Sequence, residues 1–255
     1  MQYEHVDLTF EGSVATLTLK RPPLNVMNID MMEQMNAALL ELRDRKGLKV
    51  LLVRGSSQAF SAGIDISEHT RERVGRLLQV FHRIFETIRM LDVIAVAAVE
   101  GVAFGGGFQL AIGCNLVVAS ESSRFAVPEI HLGLFPPLAA VVLPRAAPRR
   151  KAMEWILTGD EISAAELLSY GLVNRVLSDD TFDAGLGEFV AQLASKSGPV
   201  LQLAKRAQTE SYYSGYEEAL YKAENLYLRD LMALDDPVEG VAAFLEKRDP
   251  SWQDD

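Results

Sequence analysis

The chain is 255 residues long, 49% hydrophobic and 24% charged, the balance of a soluble globular protein rather than a disordered or coiled-coil one. Lys and Arg number 25 against 35 Asp and Glu, and the net charge of −10 sets the protein against phosphate backbones, so nucleic acid is not an expected partner. A single cysteine, Cys114, excludes an internal disulfide and a Cys-rich zinc site, and four scattered histidines argue against a metal site.

The opening MQYEHVDLTFEG has neither a basic segment followed by an apolar one nor an Arg-rich pattern. The longest apolar run, residues 93–99, is far short of the roughly 20 residues that span a bilayer. The expectation is a cytoplasmic protein with no membrane partner.

In chain order, residues 6–10 and 14–19 alternate around Glu11-Gly12 and predict a hairpin. Arg21-Pro22-Pro23 stops regular structure. Asn28 or Asp30 can cap a helix running to about Lys46, with Asp30 and Glu33 spaced as a capping box and Gly47 as its end. Residues 49–54 read as a strand, 55–63 as a loop of small residues, and 71–90 as a helix. The run 93–99 fits a strand buried on both faces. A glycine-rich turn at 101–107, a helix start at 108–113 and a strand at 116–119 complete an α/β pattern. From about Pro148 helices dominate: 149–157, 163–170, 181–197, 199–213, 216–234 and 237–248, with one strand candidate at 172–176. The division predicted is a core at 1–195 and a helical region at 196–255.

Three segments carry candidate chemistry. Phe60-Ser61-Ala62-Gly63-Ile64-Asp65-Ile66 is a small-residue turn that either lets a backbone approach a ligand or is a plain structural turn. Gly105-Gly106-Gly107 lies between a buried strand and a helix, where free N–H groups and the positive dipole end suit an anion or oxyanion. Tight strand–helix packing explains the same glycines. Neither a dinucleotide fingerprint nor a P-loop is present, because Leu110 stands at the sixth position from Gly105 and no Gly-Lys-Ser/Thr follows. Third, Glu129 is a lone acid among apolar residues. Desolvation can bring such a carboxyl to exchange protons near neutrality, while a helix cap or surface ion pair is the plainer alternative.

Other reactive sets fail. Ser61 is not in a nucleophile elbow and has no triad partners. Cys114 has no adjacent base and reads as a buried structural thiol. His82 reads as a packing residue that could also face a pocket, and His131 either supports Glu129 or is exposed.

Together these segments resemble the crotonase superfamily, the enoyl-CoA hydratase/isomerase fold. The resemblance runs from Leu19-Lys20-Arg21-Pro22 with Asn25, through the two glycine turns and Pro128-Glu129-Ile130, to Leu157-Thr158-Gly159, Gly171-Leu172-Val173-Asn174 and Phe244-Leu245-Glu246-Lys247-Arg248. It implies an α/β spiral of ββα units followed by helices that build homotrimers or homohexamers, and an acyl-CoA thioester substrate with no separate cofactor and no metal. By motif position, the N–H groups of Ile64 and Gly106 would form an oxyanion hole. CoA would run past Arg21 and Leu24, with adenine near Ala62, Asp65 and Ile66, and Phe244 and Lys247 would contact CoA, often from a neighbouring subunit.

The departures bear on the reaction. Two-carboxylate hydratases of this family have Glu where this chain has Gln109, and a Gly-rich stretch where it has Pro136-Pro137-Leu138. Gln109 can hydrogen-bond but cannot ionise. Residues 21–27 and 133–137 look more like the cyclohexadiene-carbonyl-CoA hydratases of aromatic degradation. The expected activity is water addition to a conjugated enoyl- or dienoyl-CoA, with Glu129 moving the proton, Gln109 orienting water or substrate, and Phe104, Phe108, Phe135 and Leu138 walling a ring pocket or packing the core. A single-glutamate enoyl-CoA isomerase is the alternative, and a non-catalytic CoA-binding assembly protein a more distant one.

Overall fold

The computed structural model describes residues 3–56, 58–212 and 214–254. The hairpin forms as expected: β1 (Val6–Glu11) pairs antiparallel with β2 (Val14–Leu19). Helix α1 (Ile29–Glu41) follows, ending five residues earlier than its apolar pattern suggests because a tight 3₁₀ turn, Leu42–Asp44, replaces its last turn. Its cap is Asn28, whose side chain accepts the Met31 N–H at 2.9 Å. The capping box at Asp30 does not form. Asp30 lies inside the first turn, where it accepts from Gln34 and faces His5, while Glu33 pairs with Arg76.

Three ββα turns then repeat. β3 (Val50–Arg54), β4 (Ala59–Ser61) and α2 (Val74–Met90) make the first, and β5 (Ile94–Val99), β6 (Val102–Phe104) and α3 (Gly106–Gly113) the second. β7 (Leu116–Ser120), β8 (Arg124–Ala126) and α4 (Pro137–Ala146) make the third, with a 3₁₀ turn, Pro128–Leu132, ahead of α4. The first strand of each turn joins a six-stranded sheet, completed by β10 (Arg175–Leu177), in the order β1-β2-β3-β5-β7-β10. The second strand joins a smaller sheet, β4-β6-β8-β9, where β9 is Ile162–Ser163. Beyond the hairpin the large sheet is parallel. The short second strands carry too few residues for a periodic signal, so the sequence reads them as loops.

The central strands of the large sheet, β3 and β5, are buried on both faces, which is why β5 is apolar without alternation. Leu51, Val53, Ala95 and Ala97 face the main core with α1, α2 and α3. Val50, Leu52, Val96 and Ala98 face Phe182, Leu186, Phe189 and Val190 of α7 (Phe182–Ala194). Between these lie α5 (Arg149–Thr158) and α6 (Ala164–Ser169), the latter capped by Ser163. The strand expected at 172–176 sits at its end, as β10, because Asn174 Oδ1 holds the Val117 N–H and starts the pairing with β7.

The C-terminal helices are α8 (Gly198–Ser211), α9 (Tyr216–Asn225) and α10 (Asp236–Glu246). The end of the helix expected at 199–213, Tyr213, lies outside the described residues. The helix expected over 216–234 is interrupted by a π turn at Leu226–Asp230 and a 3₁₀ turn at Leu231–Ala233. Lys205 ties α8 to the core: its ammonium donates to the carbonyls of Ile88, Leu91 and Val93 at 3.1, 2.7 and 2.9 Å, closing the end of α2. No helix among the described residues is long and apolar enough to cross a membrane.

The cap assignment is testable. Asn28→Ala should cost about 1 kcal/mol and lower the Tm by about 2–4 °C. Asp30→Ala should change stability by less than about 0.5 kcal/mol. Thermal melts of the two variants distinguish the caps.

Candidate active site

The site is built from backbone first. Asn25 holds the first turn in place: its Nδ2 donates to the carbonyls of Ala59 and Phe60, and its Oδ1 accepts the Arg21 N–H. Ser61 Oγ donates to Asn25 O and accepts the Gly63 N–H. Met27 then pairs with both neighbours of Ile64, donating to Gly63 O and accepting from Asp65 N. Successive N–H groups of an extended chain point to opposite sides. The Ile64 N–H therefore points away from Met27, and among the described residues it has no hydrogen-bond acceptor.

The second turn meets it closely. Gly105 has φ of +50°, and a Cβ there would stand 3.1 Å from a carboxylate oxygen of Glu129. A Cβ on Gly107 would lie 2.1 Å from Ser61 O, so only glycine lets α3 begin against the first turn. The N–H of Gly105 is tied to Ala126 O. Gly106 is the first residue of α3, where an N–H has no partner within the helix, and among the described residues none is supplied from elsewhere. Two unengaged N–H groups thus come from adjacent turns.

Both border a cavity of about 360 Å³. Glu129, from the 3₁₀ turn before α4, borders it too. Gln109 Nε2 donates to Glu129 Oε1 at 3.0 Å, while Glu129 Oε2 is buried without a hydrogen-bond partner. Desolvation raises the Glu129 pKa above the ordinary carboxyl value, opposed by hydrogen bonds from backbone and from Gln109. Gln109 itself is buried, and its Oε1 accepts the Ala139 N–H of α4 at 3.3 Å. Pro137, which the sequence marks as a departure, is the first residue of α4, a position where a missing N–H costs nothing.

Of the residues named from sequence, the structure brings Ile64, Gly106, Gln109, Glu129, Ala62 and Ile66 to this cavity. Arg21, Leu24 and Asp65 lie on the neighbouring segment: Arg21 donates to Val26 O at 2.6 Å and sits 3.5 Å from Asp65, and Leu24 O accepts the Ala62 N–H. Phe244, 82% exposed, and Lys247 lie on α10 and its C-cap and do not line the cavity.

The four residues read as pocket wall or core divide between the two. Phe108 is fully buried against Phe125 in an edge-to-face contact, and neither Phe104 nor Leu138 lines the cavity; Phe135 does. Phe81, Leu78 and Val74 of α2 and Pro137 supply the wall instead. Helical periodicity marks one face of α2 as buried without saying that part of it faces a hollow. His69, on the loop ahead of α2, also lines the cavity and was missed; no motif at that position signals it.

Cys114 is buried, its thiol donates weakly to Leu110 O, and burial pushes its pKa up to about 12, as expected of a structural thiol. His131 is exposed and borders Gly159 rather than bonding Glu129. Glu4, His5 and Asp30 place three possible metal-ligand atoms within 4.8 Å of one another, but none lines the cavity.

The profile of the enoyl-CoA hydratase/isomerase family matches residues 9–255. The chain belongs to the enoyl-CoA hydratase/isomerase family. A probable enoyl-CoA hydratase of Rhizobium meliloti is 36% identical over 252 residues, covering 97% of each chain. The cyclohexa-1,5-dienecarbonyl-CoA hydratase of Thauera aromatica is 33% identical over 243 residues, covering 95% of this chain and 94% of that one. The crystal structure of human enoyl-CoA hydratase domain-containing protein 3 superposes with a TM-score of 0.92 at 31% identity, covering 98% of this chain and 100% of that one. This family member therefore has the crotonase-type spiral, and an acyl-CoA substrate is consistent with the family.

Burial of Glu129 gives a prediction with a definite sign. Its folded-state pKa is raised, so its contribution to stability is present below the unfolded pKa and lost as pH rises through the folded one. Glu129→Gln should raise the Tm at pH 7 and leave it nearly unchanged at pH 4. Paired melts at the two pH values check this, and a variant less stable than wild type at pH 7 contradicts it.

Proposed function

We propose that this protein is an acyl-CoA hydro-lyase that adds water to a conjugated enoyl- or dienoyl-CoA thioester. The observation that carries the reading is the pair of unengaged N–H groups, Ile64 and Gly106, at the cavity that also holds Glu129. Placed in the hole, a thioester oxygen would gain two donors where charge develops as the thioester becomes an enolate, each donor being worth roughly 2.7–4 kcal/mol in such sites. Glu129 transfers the proton at the carbon next to the thioester. Burial raises the carboxyl's pKa above its ordinary value, the direction that favours a proton-exchanging group. Gln109 holds Glu129 in position.

An alicyclic acyl group is the favoured substrate. The apolar wall of Phe81, Leu78, Phe135 and Pro137 suits a flat ring, and the Thauera aromatica relative supports the same choice. CoA leaves the cavity past Ala62 and Ile66 toward Arg21, Leu24 and Asp65. Phe244 and Lys247 reach a neighbouring subunit's CoA, because their exposure on α10 leaves them away from this chain's own cavity. Residues 196–255 form the oligomerisation region: Tyr227, Leu228, Met232, Val241 and Leu245 are exposed apolar side chains. Leu226, next to Tyr227 in the chain, is not part of that surface, being buried within its own chain. No cofactor beyond the thioester's own CoA is needed, and the cytoplasm suits such a substrate.

Mass-resolved turnover of linear and alicyclic enoyl- and dienoyl-CoA thioesters tests the reaction. Product heavier by one water is expected; product of unchanged mass would make the protein an isomerase. Gly106→Pro removes one donor and should lower kcat by about 10²–10³, measured on the best substrate of that panel. Light scattering at micromolar concentration should report a trimer or hexamer, and a monomer rejects the assembly.

A further inference from the structure

The cavity wall carries three polar side chains among the described residues: Gln109, Glu129 and His69. Gln109 is already engaged at both ends, by Glu129 and by the Ala139 N–H. Glu129 has one oxygen held by Gln109 and one buried without a partner. A water that attacks the alkene needs an acceptor for its proton, and with Glu129 assigned to the proton at carbon, the other titratable side chain on the wall is His69.

His69 is prepared for that role by its backbone setting. It closes the short 3₁₀ turn Ile66–Glu68, and its Nδ1 lies 3.3 Å from the carbonyl oxygen of Asp65. A carbonyl oxygen only accepts, so the contact requires the hydrogen on Nδ1, the tautomer in which Nε2 is the nitrogen able to take a proton. The nearby charges are engaged elsewhere. Asp65 accepts from Ser67 and faces Arg21, and Glu68 pairs with Arg73 at 3.0 Å. Glu129 is the other titratable group on the wall, and its one side-chain hydrogen bond among the described residues is with Gln109, so it does not engage His69.

We propose that His69 is a second catalytic acid–base residue, the acceptor of the proton from the attacking water, standing in for the second carboxylate that Gln109 does not supply. This rests on the hydratase reading above. The water O–H bond breaks toward His69 Nε2 as the C–O bond forms. The alkene electron pair moves to the thioester oxygen as an enolate. Protonated Glu129 then gives its proton to the carbon next to the thioester, and the proton on His69 returns through solvent to the Glu129 carboxylate. The net change is the addition of one water.

The two proton transfers can be measured apart. Hydration is followed by mass in isotopically labelled water. The Glu129 step is followed alone as deuterium exchange, in D₂O, at the carbon next to the thioester of a saturated acyl-CoA with the same carbon skeleton. His69→Gln should lower hydration by about 10²–10³ while exchange stays within about threefold of wild type; Glu129→Gln should lose both. Added imidazole should restore part of the hydration activity of His69→Ala. Hydration by His69→Gln within about twofold of wild type overturns the inference and leaves the hydratase reading standing. Parallel loss of both reactions in folded His69→Gln and His69→Asn also overturns it, since it makes His69 a structural residue. A wild-type enzyme that hydrates no thioester of the panel overturns the hydratase reading and this inference with it.

Discussion

A helix that begins against another segment's backbone leaves no room for side chains at the contact. Ser61 O lies 2.1 Å from where a Cβ on Gly107 would be, and the Ile64 side chain 2.6 Å from where one on Gly106 would be. That close approach sets two N–H groups from turns some 40 residues apart in the chain beside one cavity. Neither turn offers a site alone. An N–H at a helix start is ordinarily satisfied by water or a cap, and one at a strand end by its neighbour. Here Met27 takes the groups flanking Ile64 and Ala126 takes the Gly105 N–H, which leaves the N–H groups of Ile64 and Gly106 without acceptors among the described residues, on two residues that line the hollow.

The same packing sets the chemistry of Glu129. Its carboxylate lies over Gly105, where any larger residue would displace it, and is removed from bulk water by α4 and its preceding turn. Loss of solvation works against the charged form, and one hydrogen bond from Gln109 offsets only part of that loss. Gln109 is itself fixed by the first turn of α4, so the orientation of the carboxyl depends on where Pro137 starts that helix. The costly buried group is held by a chain of neutral hydrogen bonds rather than by a counter-ion, which keeps it able to change protonation state.

The two sheets divide the work. The parallel centre of the large sheet, buried on both faces, provides rigidity through alternate contacts with the main core and α7. The small sheet holds the turns: β4 leads into the first, β6 into the second and β8 into the turn that carries Glu129. Each spiral repeat therefore delivers one loop to the cavity. Lys205 binds the C-terminal helices to the end of α2, and the opposite, N-terminal half of the same helix lines the hollow with Val74, Leu78 and Phe81.

The sequence by itself determined the hairpin, the doubly buried β5, the amphipathic α2, the glycine turns and the lone acid Glu129. Each is a local pattern of period, composition or backbone freedom that no distant contact has to supply. It also carried the family, through motifs spread along nearly the whole chain. The three-residue strands of the small sheet were decided only by the tertiary structure, because pairing between successive turns, and not propensity, makes them strands. Tertiary packing likewise chose Asn28 over Asp30 as the cap, buried Phe108 against Phe125 and turned Phe81 toward the cavity. His69 belongs to that second group. A histidine in a polar loop gives no signal in one dimension, and it borders the hollow only because the fold brings its loop, α2 and the glycine turns to one cavity.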